Sequence, residues 1–165
     1  MLSSTAEYAL RTVLEIARQP PGEPIQVEAL ADRLGIPRNY LSKVLHRLVR
    51  EQLLHSTRGK GGGFQLARQA ERISLYEVVA PFDGVSTERR CLLGQARCSD
   101  QHPCEAHGYW KGVSERIAAF FRETTVADLA ARPRPLRFNR ASDAGTPAAA
   151  RPPRRARARA KPARD

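Results

Sequence analysis

Two helical segments joined by a very short turn are the feature that most constrains how this chain can fold. Apolar residues recur at helical spacing over residues 27–34 and again over residues 38–51. Only Gly35-Ile36-Pro37 stands between the two segments. Two helices joined by a short turn that contains glycine are typical of a helix-turn-helix. The sequence therefore predicts a helix-turn-helix at the centre of the fold.

A basic, glycine-rich segment follows the second of these helices. Residues 53–57 and 64–67 are strand-like, and Arg58-Gly59-Lys60-Gly61-Gly62-Gly63 joins them. The glycines permit positive φ and a close approach of the backbone to a ligand. The segment lacks the Gly-Lys-Ser/Thr ending of a phosphate-binding P-loop, and no helix follows it to supply a dipole for phosphates. A helix-turn-helix with such a hairpin predicts a winged helix.

Helical spacing also predicts helices over residues 4–18, 75–80, 106–123 and 126–131, so the expected fold class is mainly α with a small β-hairpin wing. In the 106–123 helix the apolar residues alternate steps of three and four, which suits pairing with another helix. These residues are Trp110, Val113, Ile117 and Phe120, with Phe121 beside them. We expect this long helix to mediate dimerisation. Thr125-x-x-Asp128 has the form of a capping box that would begin the last helix.

The polar face of the third helix, residues 38–51, is the candidate surface for reading DNA. In helix-turn-helix proteins the first residues of the second helix of the motif reach base edges in the major groove. The wing adds cations for the DNA backbone or the minor groove. The candidate DNA-binding residues are Arg38, Asn39, Tyr40, Ser42, Lys43, Arg47, Arg58 and Lys60. A solvated helix face could carry the same residues, and the adjacent turn and wing are what favour DNA binding.

Positive charge is concentrated at the end of the chain. The formal net charge is +11, and residues 132–165 hold ten Arg and one Lys against two Asp, which is +9. The preceding 131 residues therefore carry only +2. The composition of the tail predicts disorder, and its cations would add non-specific, salt-sensitive affinity for DNA.

All three cysteines lie in one segment that lacks helical periodicity, with the spacing Cys91-x6-Cys98-x5-Cys104-x2-His107. Zinc would accept this set as a Cys3His tetrahedron. An iron–sulfur cluster would accept it as well, because histidine can replace a cysteine ligand. The spacing does not choose between the two, and three unconnected thiols are the remaining alternative.

No apolar run approaches the roughly 20 residues of a transmembrane helix, so no membrane partner is expected. Charged residues in the first helix argue against an N-terminal signal peptide, which predicts a cytoplasmic location where thiols stay reduced. We find no nucleophile and base at catalytic spacing and expect no enzymatic activity.

Four stretches together resemble the Rrf-type winged-helix regulators, the group of IscR and NsrR. They are Tyr8-Ala9-Leu10-Arg11, Asn39-Tyr40-Leu41-Ser42-Lys43-Val44-Leu45, Arg58-Gly59-x-Gly61-Gly62-Gly63-Phe64-x-Leu66 and the three-cysteine segment. The resemblance covers about residues 1–131, and the basic tail lies outside the pattern of the group. It implies a cytoplasmic homodimer that binds double-stranded palindromic promoter DNA. It also implies a 2Fe–2S or 4Fe–4S cluster whose state sets the affinity for DNA.

The resemblance also assigns roles to individual residues. Cys91, Cys98 and Cys104 match the cysteines that hold the cluster. His107 matches the fourth ligand of the IscR-like members, whereas Glu7 falls where NsrR-like members place a carboxylate ligand. The chain offers both candidates for the fourth ligand.

The expected organisation is a winged helix-turn-helix domain over residues 1–84, a cluster-binding loop with the dimerisation helix over 85–131, and the tail over 132–165. The expected function is transcription regulation, as a repressor, with operator affinity controlled by an iron–sulfur cluster that senses redox state, nitric oxide or iron–sulfur status. Two alternatives stay open. One is a zinc-bound or metal-free winged-helix regulator without redox sensing, and the other is a non-specific architectural DNA binder.

Overall fold

Six helices and a two-stranded hairpin make up the part of the chain described by the computed structural model, residues 2–59, 61–83, 91–96 and 98–131. The helices are α1 Ser4–Ala17, α2 Val27–Leu34, α3 Arg38–Arg50, α4 Leu75–Val79, α5 His107–Glu123 and α6 Val126–Ala130. The strands are β1 Leu54–Thr57 and β2 Gly63–Leu66. A single 3₁₀ turn, Ala70–Arg72, was not expected from the sequence. The mainly α winged-helix prediction is confirmed.

The turn between α2 and α3 explains how the helix-turn-helix closes. Gly35 ends α2 in the left-handed conformation at φ 64°, which a glycine adopts without the Cβ clash that other residues incur. Ile36 is buried in the core, and Pro37 precedes the first residue of α3. The turn therefore fixes the direction in which α3 leaves α2.

The core lies between α1 and the other helices of the head. α1 packs against α2, α3, α4, α6 and β2. The inner face of α3 is buried as its spacing predicts, and its buried side chains are Leu41, Val44, Leu45 and Leu48. Since a close-packed interior transmits small displacements, α1 connects α3 mechanically to the elements that follow the wing.

The wing is an antiparallel hairpin in which Leu54 pairs with Leu66 and Thr57 pairs with Gly63. A third segment extends it, because Ile25 and Phe64 exchange backbone hydrogen bonds of 3.0 and 2.9 Å. The wing is thereby tied to the chain just before α2. Lys60 lies outside the described residues.

A second isolated bridge, Ser74 with Thr125, joins the end of α5 to the head. The Leu75 N–H donates to the Thr124 carbonyl at 3.0 Å, and the Val126 N–H donates to the Ile73 carbonyl at 2.8 Å. Capping boxes begin the two helices that follow this bridge, one at Ser74 and one at Thr125. The capping box expected at Thr125 is confirmed, and the one at Ser74 was not anticipated.

The long helix α5 contains no buried residue in a single chain. Tyr109 is 88% exposed, Phe120 51%, Val113 49% and Ile117 38%. A row of exposed large apolar side chains marks a surface that binds a partner. No helix in the described ranges is long and apolar enough to cross a membrane.

The expected domain boundaries follow residues 84 and 131. Two stretches next to them, residues 84–90 and 132–165, lie outside the described ranges. The division of the chain and the disorder of the tail therefore stay predictions.

We predict that Gly63→Ala destabilises the fold. A Cβ at this position would lie 2.5 Å from the Ile25 carbonyl oxygen, so β2 would have to move away from that segment. The expected loss is about 1–3 kcal/mol of unfolding free energy, measured by urea denaturation. Gln65→Ala, in the same strand, is the matched control and should cost less. Equal unfolding midpoints for Gly63→Ala and the wild type would show that the wing tolerates the displacement.

Candidate metal centre and DNA-binding surface

The three thiols converge at the N-terminus of α5. The Cys91 and Cys104 sulfurs are 3.5 Å apart, and the Cys98 and Cys104 sulfurs are 3.6 Å apart. All three sulfur atoms lie within 4.8 Å of one another, and none is in a disulfide. Thiolates at this spacing are the ligands that zinc and iron–sulfur clusters take.

His107, the first residue of α5, lies next to these sulfurs. Its Nδ1 is 3.1 Å from the Cys98 sulfur, and its backbone N–H donates to the Cys104 carbonyl at 3.0 Å. The helix α5 therefore begins close to the last cysteine, and this places the imidazole on the same side as the sulfurs. Its role as a ligand stays a prediction.

The thiols differ in acidity because their surroundings differ. Hydrogen bonds from the backbone amides of Gln95 and Leu93 hold the pKa of the Cys91 thiol below its ordinary value. Desolvation, together with the hydrogen bond to Cys91, raises the pKa of the Cys104 thiol. Of these two thiols, Cys91 is the one that deprotonates more readily, and thiolates are the form that binds metals.

A cavity of about 220 Å³ opens beside the thiols. Its wall includes Leu92, Trp110 and Ser114 as well as the three cysteines and His107. Space of this size next to converging sulfurs fits an inorganic group bound between the loop and α5.

Glu7, the other expected fourth ligand, lies on α1 and not among the converging thiols of its own chain. Its carboxylate is 3.6 Å from the Arg11 guanidinium one turn later, and its side chain is exposed. A ligand role for Glu7 would require the carboxylate to come from a second subunit.

Two residues that were not predicted from the sequence, Asp100 and Lys111, lie next to His107. Asp100 contacts the imidazole, and Lys111 contacts Asp100. Asp100 Oδ1 is 2.9 Å from His107 Nε2, and the Lys111 ammonium is 2.9 and 3.0 Å from the two Asp100 oxygens. Hydrogen bonds from Lys111 and His107 lower the pKa of Asp100 to about 2. The spacing of His107 and Lys111, four residues apart on one helix, was the signal available in the sequence.

The exposed face of α3 is the candidate DNA-reading surface. Asn39 and Lys43 are exposed, and nothing in the described part of the chain engages either side chain in a hydrogen bond or an ion pair. His46 and Arg50 continue the same face at helical spacing and are exposed as well. Neither residue was among the DNA-binding residues predicted from the sequence, although the helical spacing placed both on this face.

Other candidates on α3 already have partners within the chain. Arg38 forms an ion pair with Glu28 of α2, and the Arg47 Nε lies 2.9 Å from a Glu51 oxygen. The Ser42 hydroxyl donates to the Arg38 carbonyl at 2.9 Å.

Tyr40 is held against α1. Its ring packs edge-on to Tyr8 with centroids 5.6 Å apart, and its hydroxyl hydrogen-bonds to Thr5. These contacts give Tyr40 a role in fixing α3 against α1. In the wing, Arg58 is exposed.

Comparison with known proteins identifies the family. The model of a family described as Rrf2, iron-dependent transcriptional regulator, matches residues 2–132. This chain belongs to the Rrf2 family. It is 31% identical over 128 residues to the HTH-type transcriptional regulator IscR of Klebsiella pneumoniae, covering 78% of each chain. IscR of Escherichia coli is 30% identical over the same length.

Solved structures agree with the Rrf2 fold. CymR, the global cysteine regulator of B. subtilis, superposes with a TM-score of 0.68 at 20% identity, over 79% of this chain and 96% of CymR. T. potens IscR superposes with a TM-score of 0.61 at 22% identity, over 78% of this chain and 85% of that one. Membership of the Rrf2 family makes this chain a DNA-binding transcriptional regulator and not an enzyme.

We predict that Lys43→Ala and Asn39→Ala each reduce specific DNA binding. A lost base contact costs about 1–3 kcal/mol of discrimination, so a site selected from a random DNA library should lose more affinity than random DNA. Fluorescence anisotropy with both DNAs measures this difference. Arg72→Ala removes an exposed cation from the 3₁₀ turn and is the control. Equal losses on both DNAs would assign Asn39 and Lys43 to phosphate contacts.

Proposed function

We propose that this Rrf2 protein is a homodimeric repressor whose affinity for palindromic promoter DNA depends on an iron–sulfur cluster held by Cys91, Cys98 and Cys104. The observation that carries the proposal is the convergence of all three thiols at the start of α5 in a member of a family described as iron-dependent regulators. Redox state, nitric oxide and iron–sulfur supply are the signals that such a cluster would report.

The donor set supports a bound inorganic group. Three sulfurs and one imidazole nitrogen make four ligands of the types that iron–sulfur clusters and zinc accept. His107 would complete the set from within the chain, with Nδ1 already 3.1 Å from the Cys98 sulfur. A bound cluster would supply electron exchange and sensitivity to oxidants and nitric oxide.

A continuous series of packed elements supports communication between the thiols and the DNA surface. The loop that holds the thiols runs directly into α5, and α5 ends at the bridge between Ser74 and Thr125. From there α4 and α6 pack on α1, and α1 packs on α3. A ligand can shift such a protein only as far as its affinity differs between two conformations. We infer that holding or releasing the loop changes where α5 places one head relative to the other.

The homodimer is supported by the exposed apolar face of α5. Val113, Ile117 and Phe120 recur at steps of four and three, the spacing of helices that pair lengthwise. A twofold dimer would present two copies of α3 to the two halves of a palindromic site. The DNA target and the three free thiols also fit a cytoplasmic location, where reducing conditions preserve thiol ligands.

The full-length chain purified without oxygen tests the proposal. We expect a coloured protein that contains iron and acid-labile sulfide, and a change in affinity for a selected DNA site after the cluster is removed. A colourless protein with bound zinc would support the zinc-bound regulator instead. A coloured protein with unchanged DNA affinity would separate the cluster from regulation, and equal affinity for selected and random DNA would indicate an architectural binder.

We predict that His107→Ala changes the visible spectrum and shortens the lifetime of the bound cluster more than Glu7→Ala does. The imidazole lies beside the sulfurs in the same chain, whereas Glu7 pairs with Arg11 on α1. Absorbance of both variants, followed during exposure to air, measures the effect. Bleaching by Glu7→Ala with no effect of His107→Ala would reverse the assignment and indicate a site shared between two subunits.

A further inference from the structure

Asp100 and Lys111 form an ion pair on the side of His107 that faces away from the thiols. Asp100 Oδ1 lies 2.9 Å from His107 Nε2, on the opposite side of the ring from the nitrogen that approaches Cys98. The Lys111 ammonium contacts both Asp100 oxygens, at 2.9 and 3.0 Å. The carboxylate therefore has its two strongest contacts with a cation and with this one ring nitrogen.

These contacts determine which ring nitrogen of His107 carries hydrogen. An ionised carboxylate can only accept hydrogen bonds. At 2.9 Å from Asp100 Oδ1, His107 Nε2 must therefore be the donor and carry the proton. In a neutral imidazole the other nitrogen, Nδ1, then has a free lone pair. Nδ1 is the atom 3.1 Å from the Cys98 sulfur, so the lone pair is on the side of the thiols.

The local chain geometry supports this arrangement from two directions. His107 and Lys111 are four residues apart on α5 and so share one face of the helix. Asp100 comes from the loop between Cys98 and Cys104, which is closed by the reciprocal backbone hydrogen bonds of Ser99 and His102, each 3.2 Å. Folding the thiol loop onto α5 thus brings the carboxylate between the imidazole and the ammonium.

We propose that Asp100 is a positioning residue for the metal centre, which holds His107 in the tautomer with Nδ1 free for the metal, and that Lys111 fixes Asp100 in this place. This inference rests on the proposed function, since it takes His107 as the fourth ligand. Carboxylates that hold ligating histidines in this way typically account for about 10–100-fold in metal affinity. Asp100 would act only through His107 and would not contact the metal.

Cobalt(II) binding to the full-length, metal-free chain under anaerobic reducing conditions tests the inference. Cobalt occupies thiolate and imidazole sites, and its absorption bands report the ligand set. We expect Asp100→Asn to weaken cobalt binding about 10–100-fold, because an amide can donate to Nε2 and no longer enforces one tautomer. Lys111→Met should weaken binding in the same direction. Glu105→Gln removes an exposed carboxylate just after Cys104 that makes no hydrogen bond or ion pair with His107, and it is the matched control.

His107→Ala separates this inference from the proposed function. If His107→Ala leaves the cobalt spectrum and affinity unchanged, the histidine is not a ligand and that part of the proposed function fails. If His107→Ala changes both while Asp100→Asn and Lys111→Met match the control, the ligand assignment stands and the positioning role is overturned. In the double variant His107→Ala with Asp100→Asn, the second substitution should have no further effect, because contacts that act through one residue are not additive.

A measurement on the unaltered protein covers the case in which a variant fails to fold. Nitrogen-15 NMR of the metal-free chain, recorded at a pH at which the ring is neutral, distinguishes the two tautomers of the imidazole. We expect the proton of His107 on Nε2. A proton on Nδ1 would overturn the inference directly.

Discussion

The bridge between Ser74 and Thr125 is the backbone connection on which the placement of α5 against the head depends. It is made by two backbone hydrogen bonds, and it is where α5 is joined to the DNA-binding head in the described part of the chain. Two capping boxes flank it, and a cap of this kind is worth about 1 kcal/mol. Because α4 and α6 begin at the bridge and both pack on α1, the bridge connects α5 to the core beneath α3 through elements in direct contact.

The charge of Glu77 helps to keep this connection formed. Burial acts to raise the pKa of Glu77, but hydrogen bonds from Ser74 and the Arg68 guanidinium hold it below the ordinary value. A carboxyl with a lowered pKa in the folded state adds stability above its unfolded pKa, and that stability is lost as the pH falls through the folded value. The capping box at Ser74 is therefore intact at neutral pH, where the protein must bind DNA.

The parts of the fold and of the site that could be predicted depend on residues close together in the sequence. The spacing of the apolar residues in α3 and the glycine at position 35 gave the helix-turn-helix, and three cysteines in one segment gave the thiol cluster. The bridge from Ile25 to Phe64 could not be predicted, since it joins segments far apart in the chain with no pairing signal of their own. The contact of Asp100 with His107 was not predicted for a different reason: the two residues are seven positions apart, but they meet only once the irregular thiol loop folds back on α5.

The ion pair of Arg38 on the candidate DNA-reading face is compatible with binding to phosphates. The Arg38 and Glu28 side chains are 62% and 49% exposed, and an exposed pair of this type contributes about 0.2–1 kcal/mol. A DNA phosphate offers Arg38 the same charge and additional acceptor oxygens, so exchanging Glu28 for a phosphate costs little. The pair therefore orders the guanidinium in the free protein without blocking it. With residues 1–131 at a net charge of only +2, their long-range attraction to DNA is weak, so we expect discrimination between sequences to depend on direct contacts, for which the exposed face of α3 is the candidate.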